Sequence, residues 1–204
     1  MADPNRITAS FLTSAPSLAA CPTDDEPEIA IAGRSNAGKS SVLNQLTGNR
    51  QLARASKTPG RTRLINYFDT DIGGRLVDLP GYGYAAAGHD ERRTWQRSVE
   101  QYLEARETLS GLVLVMDCRH PFKEFDEHML AWTRAAVLPT LVLLNKVDKL
   151  ASGARARAGR DAAQHLKEHS SVDVLLFSAT AGTGRVETIA WLARKFKEAR
   201  LRER

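Results

Sequence analysis

The chain has 204 residues, 42 % of them hydrophobic and 26 % charged, with a net charge of +5, enough to bury one sizeable core and most simply one domain. Two cysteines, Cys21 and Cys118, exclude a disulfide framework. No stretch reaches the ~18 apolar residues of a membrane span or the pattern of a signal peptide, so a cytoplasmic protein is expected. Residues 1–25 show no clear period and are expected to form an arm lying on the domain. Residues 28–32 then read as a short buried strand, and Gly33-Arg34-Ser35-Asn36-Ala37-Gly38-Lys39-Ser40 follows it. A glycine, four residues, then Gly-Lys-Ser is a phosphate-cradling P-loop. A helix predicted over 39–47 completes the strand, loop and helix that such a loop requires. Its backbone N–H groups and the helix N-terminus converge on phosphates, Lys39 reaches the β- and γ-phosphates, and Ser40 places its hydroxyl on magnesium.

Further along, Lys57-Thr58-Pro59-Gly60-Arg61-Thr62 offers a loop threonine to complete the magnesium shell. Thr62 is preferred to Thr58, because it abuts the strand expected at 63–69 while Thr58, next to Pro59, is biased toward extended structure. Gly60, Arg61, Arg63 and Leu64 join the expected nucleotide contacts. Tyr67 to Gly74 carries the turn residues of a hairpin, making one edge pair antiparallel. The second strand, 74–78, ends in Asp78-Leu79-Pro80-Gly81, where Asp78 suits magnesium through a water and Gly81 leaves its N–H open to a γ-phosphate. Helices are expected over 91–106 and 124–137, and a strand over 111–117 leads to Cys118, read as a small core residue. The strand at 139–145 runs into Asn145-Lys146-Val147-Asp148. There the aspartate accepts from the guanine ring N–H and amine, and the Lys146 stem packs on the base. After a helix at 155–169 and a strand at 172–177, Phe177-Ser178-Ala179 presents backbone N–H groups to the guanine carbonyl. A last helix is expected over 184–199, with Val186, Ile189, Leu192 and Phe196 as its apolar stripe. Trp191 lies off that stripe and either packs at its flank or stacks on a nucleobase. Alternating strands and helices imply an α/β fold with a mostly parallel six-stranded sheet covered by helices on both faces.

Taken together, GRSNAGKSS, KTPGRT, DLPGYGYA, Asp117-Cys118-Arg119-His120-Pro121, NKVDKL and FSAT resemble the EngB (YihA/YsxC) family of bacterial GTPases over roughly residues 8–198. The resemblance implies GTP binding and hydrolysis to GDP, a role in assembly of the large ribosomal subunit, and a link to cell division and septation. A monomer with a G domain over 26–199 and a basic tail at 200–204 is expected. Many related switches carry a glutamine just after Asp-x-x-Gly to orient the attacking water. Here that position is Tyr82, so intrinsic hydrolysis should be slow and a partner or a cation must finish the site. Catalysis then falls to Lys39, Thr62, Gly81 and Asn36. Asn36 either caps the P-loop or holds a potassium ion, as the matching residue does in cation-activated relatives. Tyr82 and Tyr84 are expected on a loop with Gly81, Gly83 and Gly88 that the γ-phosphate orders.

Charge is concentrated. From Ile29 to Phe68 no acid offsets Arg34, Lys39, Arg50, Arg54, Lys57, Arg61 and Arg63, while Trp191 to Arg204 carries six cations against Glu198 and Glu203. Arg50, Arg54 and Arg63 exceed what a nucleotide needs and, with Arg194, Lys195, Lys197 and Arg200, could meet RNA phosphates. The alternative is a protein-binding regulatory GTPase of division or septum assembly, with these charges as a solvated face.

Overall fold

A computed structural model of the chain describes residues 6–52, 64–81 and 99–202. Seven strands form one sheet: β1 (Ala9–Ala15), β2 (Glu28–Gly33), β3 (Ile65–Thr70), β4 (Gly74–Asp78), β5 (Leu109–Asp117), β6 (Thr140–Asn145) and β7 (Val172–Leu176). Their spatial order is β1-β3-β4-β2-β5-β6-β7. The helices are α1 (Lys39–Thr47), α2 (helical at 99–105), α3 (Glu124–Ala135), α4 (Ser152–His165) and α5 (Arg185–Arg202). The mostly parallel α/β architecture and the antiparallel hairpin of β3 on β4 are as expected, but the hairpin is not the edge of the sheet, since β1 pairs outside it as a second antiparallel pair. The count of six strands is corrected to seven, because residues 9–15 add an antiparallel strand outside β3. That strand's mixed sequence has no period-two signal, and it is fixed by pairing with β3 and by Phe11 set edge-on to Phe68 at 6.0 Å.

Strict alternation along the central strands sends neighbouring side chains to opposite faces, and both faces are buried, which is why these strands read as continuous apolar runs. Ile29, Ile31, Val113, Val115, Leu141 and Leu143 pack with Val42, Leu43 and Leu46 of α1 and with Ile189, Leu192 and Phe196 of α5. Ala30, Ala32, Leu112, Leu114, Val142 and Leu144 pack with Tyr102, Leu103, Met129, Leu130 and Ala162 from α2, α3 and α4. Helix α5 reaches the sheet through Gly74. A Cβ there would stand 2.2 Å from the Phe196 ring, so only glycine lets this ring lie on the strand. Val186, expected in the stripe of α5, is half exposed, whereas Trp191 is buried and donates its indole N–H to Asp173 at 2.8 Å. The buried face of α5 is therefore rotated toward Thr188 and Trp191, which settles Trp191 as a core residue.

At the end of the sheet where β2 begins, Glu28 is fully buried and accepts from the Tyr102 hydroxyl at 2.8 Å and from the Arg106 guanidinium. Arg75 likewise joins Asp69 to Asp24 of the N-terminal segment. The opposite end carries the loops. Because the chain passes from β2 to β3 and β4 on one side and to β5 on the other, the carboxyl ends of β2, β4, β5 and β6 surround a crevice of the kind where open parallel sheets bind ligands. No described helix is long and apolar enough to cross a membrane.

Candidate nucleotide site

The strand β2 ends at Gly33, and the next residues turn over the crevice into α1. Gly38 is in the left-handed region at φ 100°, and a Cβ there would stand 2.4 Å from Asn145 Nδ2, so the loop can close on β6 only with glycine at this position. Two bonds then tie the loop to the segment after β6. Asn145 Nδ2 donates to Ala37 O at 2.9 Å, and Lys146 Nζ donates to Asn36 O at 2.6 Å. Asn36 and Lys146 themselves have positive φ, 65° and 69°, a strain of the kind that gathers at ligand sites.

The expected guanine segments are brought together. Asn145 Oδ1 accepts from Ala179 N at 3.3 Å, Val147 N donates to Phe177 O at 3.2 Å, and Ser178 Oγ donates to Asp148 Oδ1 at 2.7 Å. The hydrogen bond from Ser178, aided by Lys149, holds the Asp148 carboxyl below the usual carboxylate range. It is therefore ionised at neutral pH and ready to accept from two donors. On the phosphate side, Lys39 Nζ stands 3.7 Å from Asp78 Oδ1, and Gly81 lies beside the same ammonium group. Burial pushes the Asp78 carboxyl up, with Lys39 opposing, and Oδ1 has no hydrogen-bond partner. Ser40 sits in the first turn of α1, Leu79 and Pro80 are buried behind Asp78, and Leu64 is partly exposed before β3. Gly60, Arg61, Thr62 and Arg63, and also Tyr82, Tyr84, Gly83 and Gly88, lie outside the described residues.

A family model described as 50S ribosome-binding GTPase matches residues 28–146, which spans this arrangement from β2 through Lys146. A probable GTP-binding protein EngB of Pasteurella multocida is 50 % identical over 175 residues, 85 % of each chain. The chain belongs to the EngB family of GTP-binding proteins. A second EngB relative, from Sodalis glossinidius, is 58 % identical over 145 residues, 71 % of this chain and 69 % of its own. Among solved structures, that of a probable GTP-binding protein engB aligns at a TM-score of 0.65 and 26 % identity over 87 % of this chain and all of its own. The structure of Era in complex with MgGDPNP and nucleotides 1506–1542 of 16S ribosomal RNA aligns at 0.65 and 20 % identity, over 83 % and 56 %, and shows a shared fold. The chain is thus an EngB GTPase, an enzyme that hydrolyses GTP.

Two residues of this EngB chain had no assigned role in the sequence. Asp117, at the end of β5, accepts from Arg119 and from Lys146 Nζ at 2.9 Å, and these cations hold its carboxyl far below the usual range, Arg119 foremost. It fixes the lysine that reaches the P-loop, and an Asp-x-Arg directly after a buried strand was the available signal. Asp126, at the third position of α3, accepts from Lys123 N at 3.0 Å. Its Oδ1 and the Ser35 Oγ are buried without partners beside a cavity of about 210 Å³ that Arg34 and Asn36 also line.

Proposed function

We propose that this GTPase is a nucleotide-controlled switch in assembly of the large ribosomal subunit, docking in its GTP form and leaving after hydrolysis. The observation that carries the reading is the match of residues 28–146 to 50S ribosome-binding GTPases, which takes in the phosphate side of the crevice from β2 through Lys146. The net charge of +5 agrees with a polyanionic partner.

In this reading Asn145 and Asp148 select guanine, Lys146 covers the base, and the Ala179 N–H, which donates to Asn145 Oδ1 at 3.3 Å here, is shared with the guanine carbonyl when the base is bound. Gly33 to Ser40 wrap the phosphates, with Lys39 on the β- and γ-phosphates. Asp78, whose buried Oδ1 has no hydrogen-bond partner, together with Ser40 and Thr62, suits a magnesium ion. When bound, the ion neutralises charge on the β- and γ-oxygens. Water attacks the γ-phosphorus in line, the bond to the β-γ bridging oxygen breaks, and GDP and phosphate leave. Lys39 and the loop N–H groups stabilise the charge that gathers on the leaving oxygen, and the Gly81 N–H holds the γ-phosphate.

The test is co-sedimentation of the chain with purified large subunits in a non-hydrolysable GTP analogue, in GDP and without nucleotide. Retention in the analogue alone is expected, lost in Lys39→Ala, whose GTP affinity should fall. Equal or absent sedimentation in all three states would overturn the ribosomal reading while leaving GTP binding intact.

A further inference from the structure

Three of the basic residues of α5 are engaged within the protein. Arg194 pairs with Asp173 at 3.5 Å, Lys195 with Glu198 at 2.8 Å, and Arg200 with Glu26 at 2.7 Å while also donating to Gly73 O. Helix α4 is the opposite case. Arg157, Arg160 and Gln164 stand at helical spacings of three and four residues along one exposed side, and Lys167 in the turn beyond continues the row. None of the three cations forms an ion pair with a described carboxylate. Ahead of the row and beside it the helix surface is low, with Gly153, Ala154, Ala156 and Ala163 all exposed, and its buried residue is Ala162. A helix that buries so little and carries small residues on its open side lets a bulky chain approach its backbone, with guanidinium groups standing above it.

We infer that this side of α4 is a docking surface for the phosphodiester backbone of RNA. From Arg157 to Gln164 the helical part of the row spans about 10 Å at ~1.5 Å per residue. Unpaired arginines favour this occupant. Each presents a planar fork that takes two phosphate oxygens at once, and no internal carboxylate has to be displaced. The acids along it are Asp161 and, next to Lys167, Glu168. The inference rests on the ribosomal reading above and adds which surface meets the RNA.

The experiment uses the full chain in a non-hydrolysable GTP analogue, with ribosomal RNA extracted from large subunits as the probe, titrated across a salt series. Arg157→Ala, Arg160→Ala and Lys167→Ala together should flatten the slope of log affinity against log salt by about two to three units and weaken binding on the order of a hundredfold near 0.1 M salt. GTP affinity should not change. That affinity also reports whether the exposed triple variant is folded, and Arg157→Gln alone, which should cost about one unit of slope, replaces it if it is not. Unchanged slope in a variant whose parent binds RNA overturns the surface and leaves the ribosomal reading standing. Failure of the parent to bind either RNA or subunits overturns both. Loss of subunit binding with RNA binding intact identifies an acidic protein as the occupant instead.

Discussion

At Asp148 one carboxylate is asked to tell guanine from its analogues. Ser178 donates to Oδ1 and Lys149 lies 3.2 Å from Oδ2, so the carboxylate stays ionised and keeps lone pairs for two donors of a base. Asp148→Asn replaces an acceptor by an amide donor facing the guanine amine, so preference should move toward xanthine nucleotides, whose 2-oxo group accepts it. Unchanged preference for GTP over XTP in a competition assay would remove Asp148 from this role. Asp126 makes a second prediction. Burial raises its carboxyl, with the Lys123 N–H and Arg34 opposing. The folded chain therefore holds this proton more tightly than the unfolded chain, whose value is about 3.9. Between that value and the raised one the native state binds more protons, so this group's contribution to stability falls as pH rises. Asparagine can still accept from Lys123 N but does not titrate. Wild type should gain stability relative to Asp126→Asn as pH falls from about 7 to about 4, read from denaturant midpoints. A pH-independent difference would show that the buried carboxyl does not titrate in this window.

Helix α3 ends in a way its sequence does not advertise. Leu138 N donates to Thr133 O at 2.8 Å and Val137 N to Arg134 O at 3.1 Å, the paired bonds of a Schellman turn, whose left-handed residue is usually glycine. Here it is Val137, at φ 50° and 75 % exposed. The left-handed conformation costs an L-residue about 1–2 kcal/mol, and glycine's greater freedom when unfolded returns roughly 0.5–1 kcal/mol of that. Val137→Gly should therefore stabilise the protein modestly, raising Tm by about 1–4 °C. A fall in Tm in calorimetry would mean that Val137 contributes packing its exposure conceals. The cores of the parallel strands were legible in the sequence because burial on both faces leaves an unbroken apolar run, and the P-loop and the guanine segments were legible because each is a contiguous motif. Strand β1 was not, since an edge strand without alternation is defined by its neighbour. The side of α5 was misjudged at Val186 because the packing of Trp191 beside Gly111, where a Cβ would stand 3.2 Å from the ring, depends on a residue eighty positions away. Part of the roles of Asp117 and Asp126 escaped for the same reason, since Lys146 meets Asp117 and the Ser35 hydroxyl shares a cavity with Asp126 only in space, while their bonds to Arg119 and to Lys123 N are local.

In the whole molecule, five segments from distant parts of the chain meet at one end of the sheet, and the P-loop is held from behind by Asn145 and by Lys146, which Asp117 in turn secures. That frame pins the backbone oxygen of Asn36, and among the described residues its exposed side chain makes no hydrogen bond. If it holds a potassium ion against the phosphates, the ion supplies the positive charge that an arginine or a partner provides elsewhere, and Tyr82 need not replace a glutamine. Turnover in potassium should then exceed turnover in sodium at equal ionic strength, because the smaller ion fits a potassium-sized oxygen cage poorly. Asn36→Ala should erase that difference while GTP affinity changes little, since the charge acts mainly in the transition state. Measured with and without large ribosomal subunits, equal rates in the two salts together with strong stimulation by the subunit would eliminate the cation and assign completion of the site to the ribosomal partner.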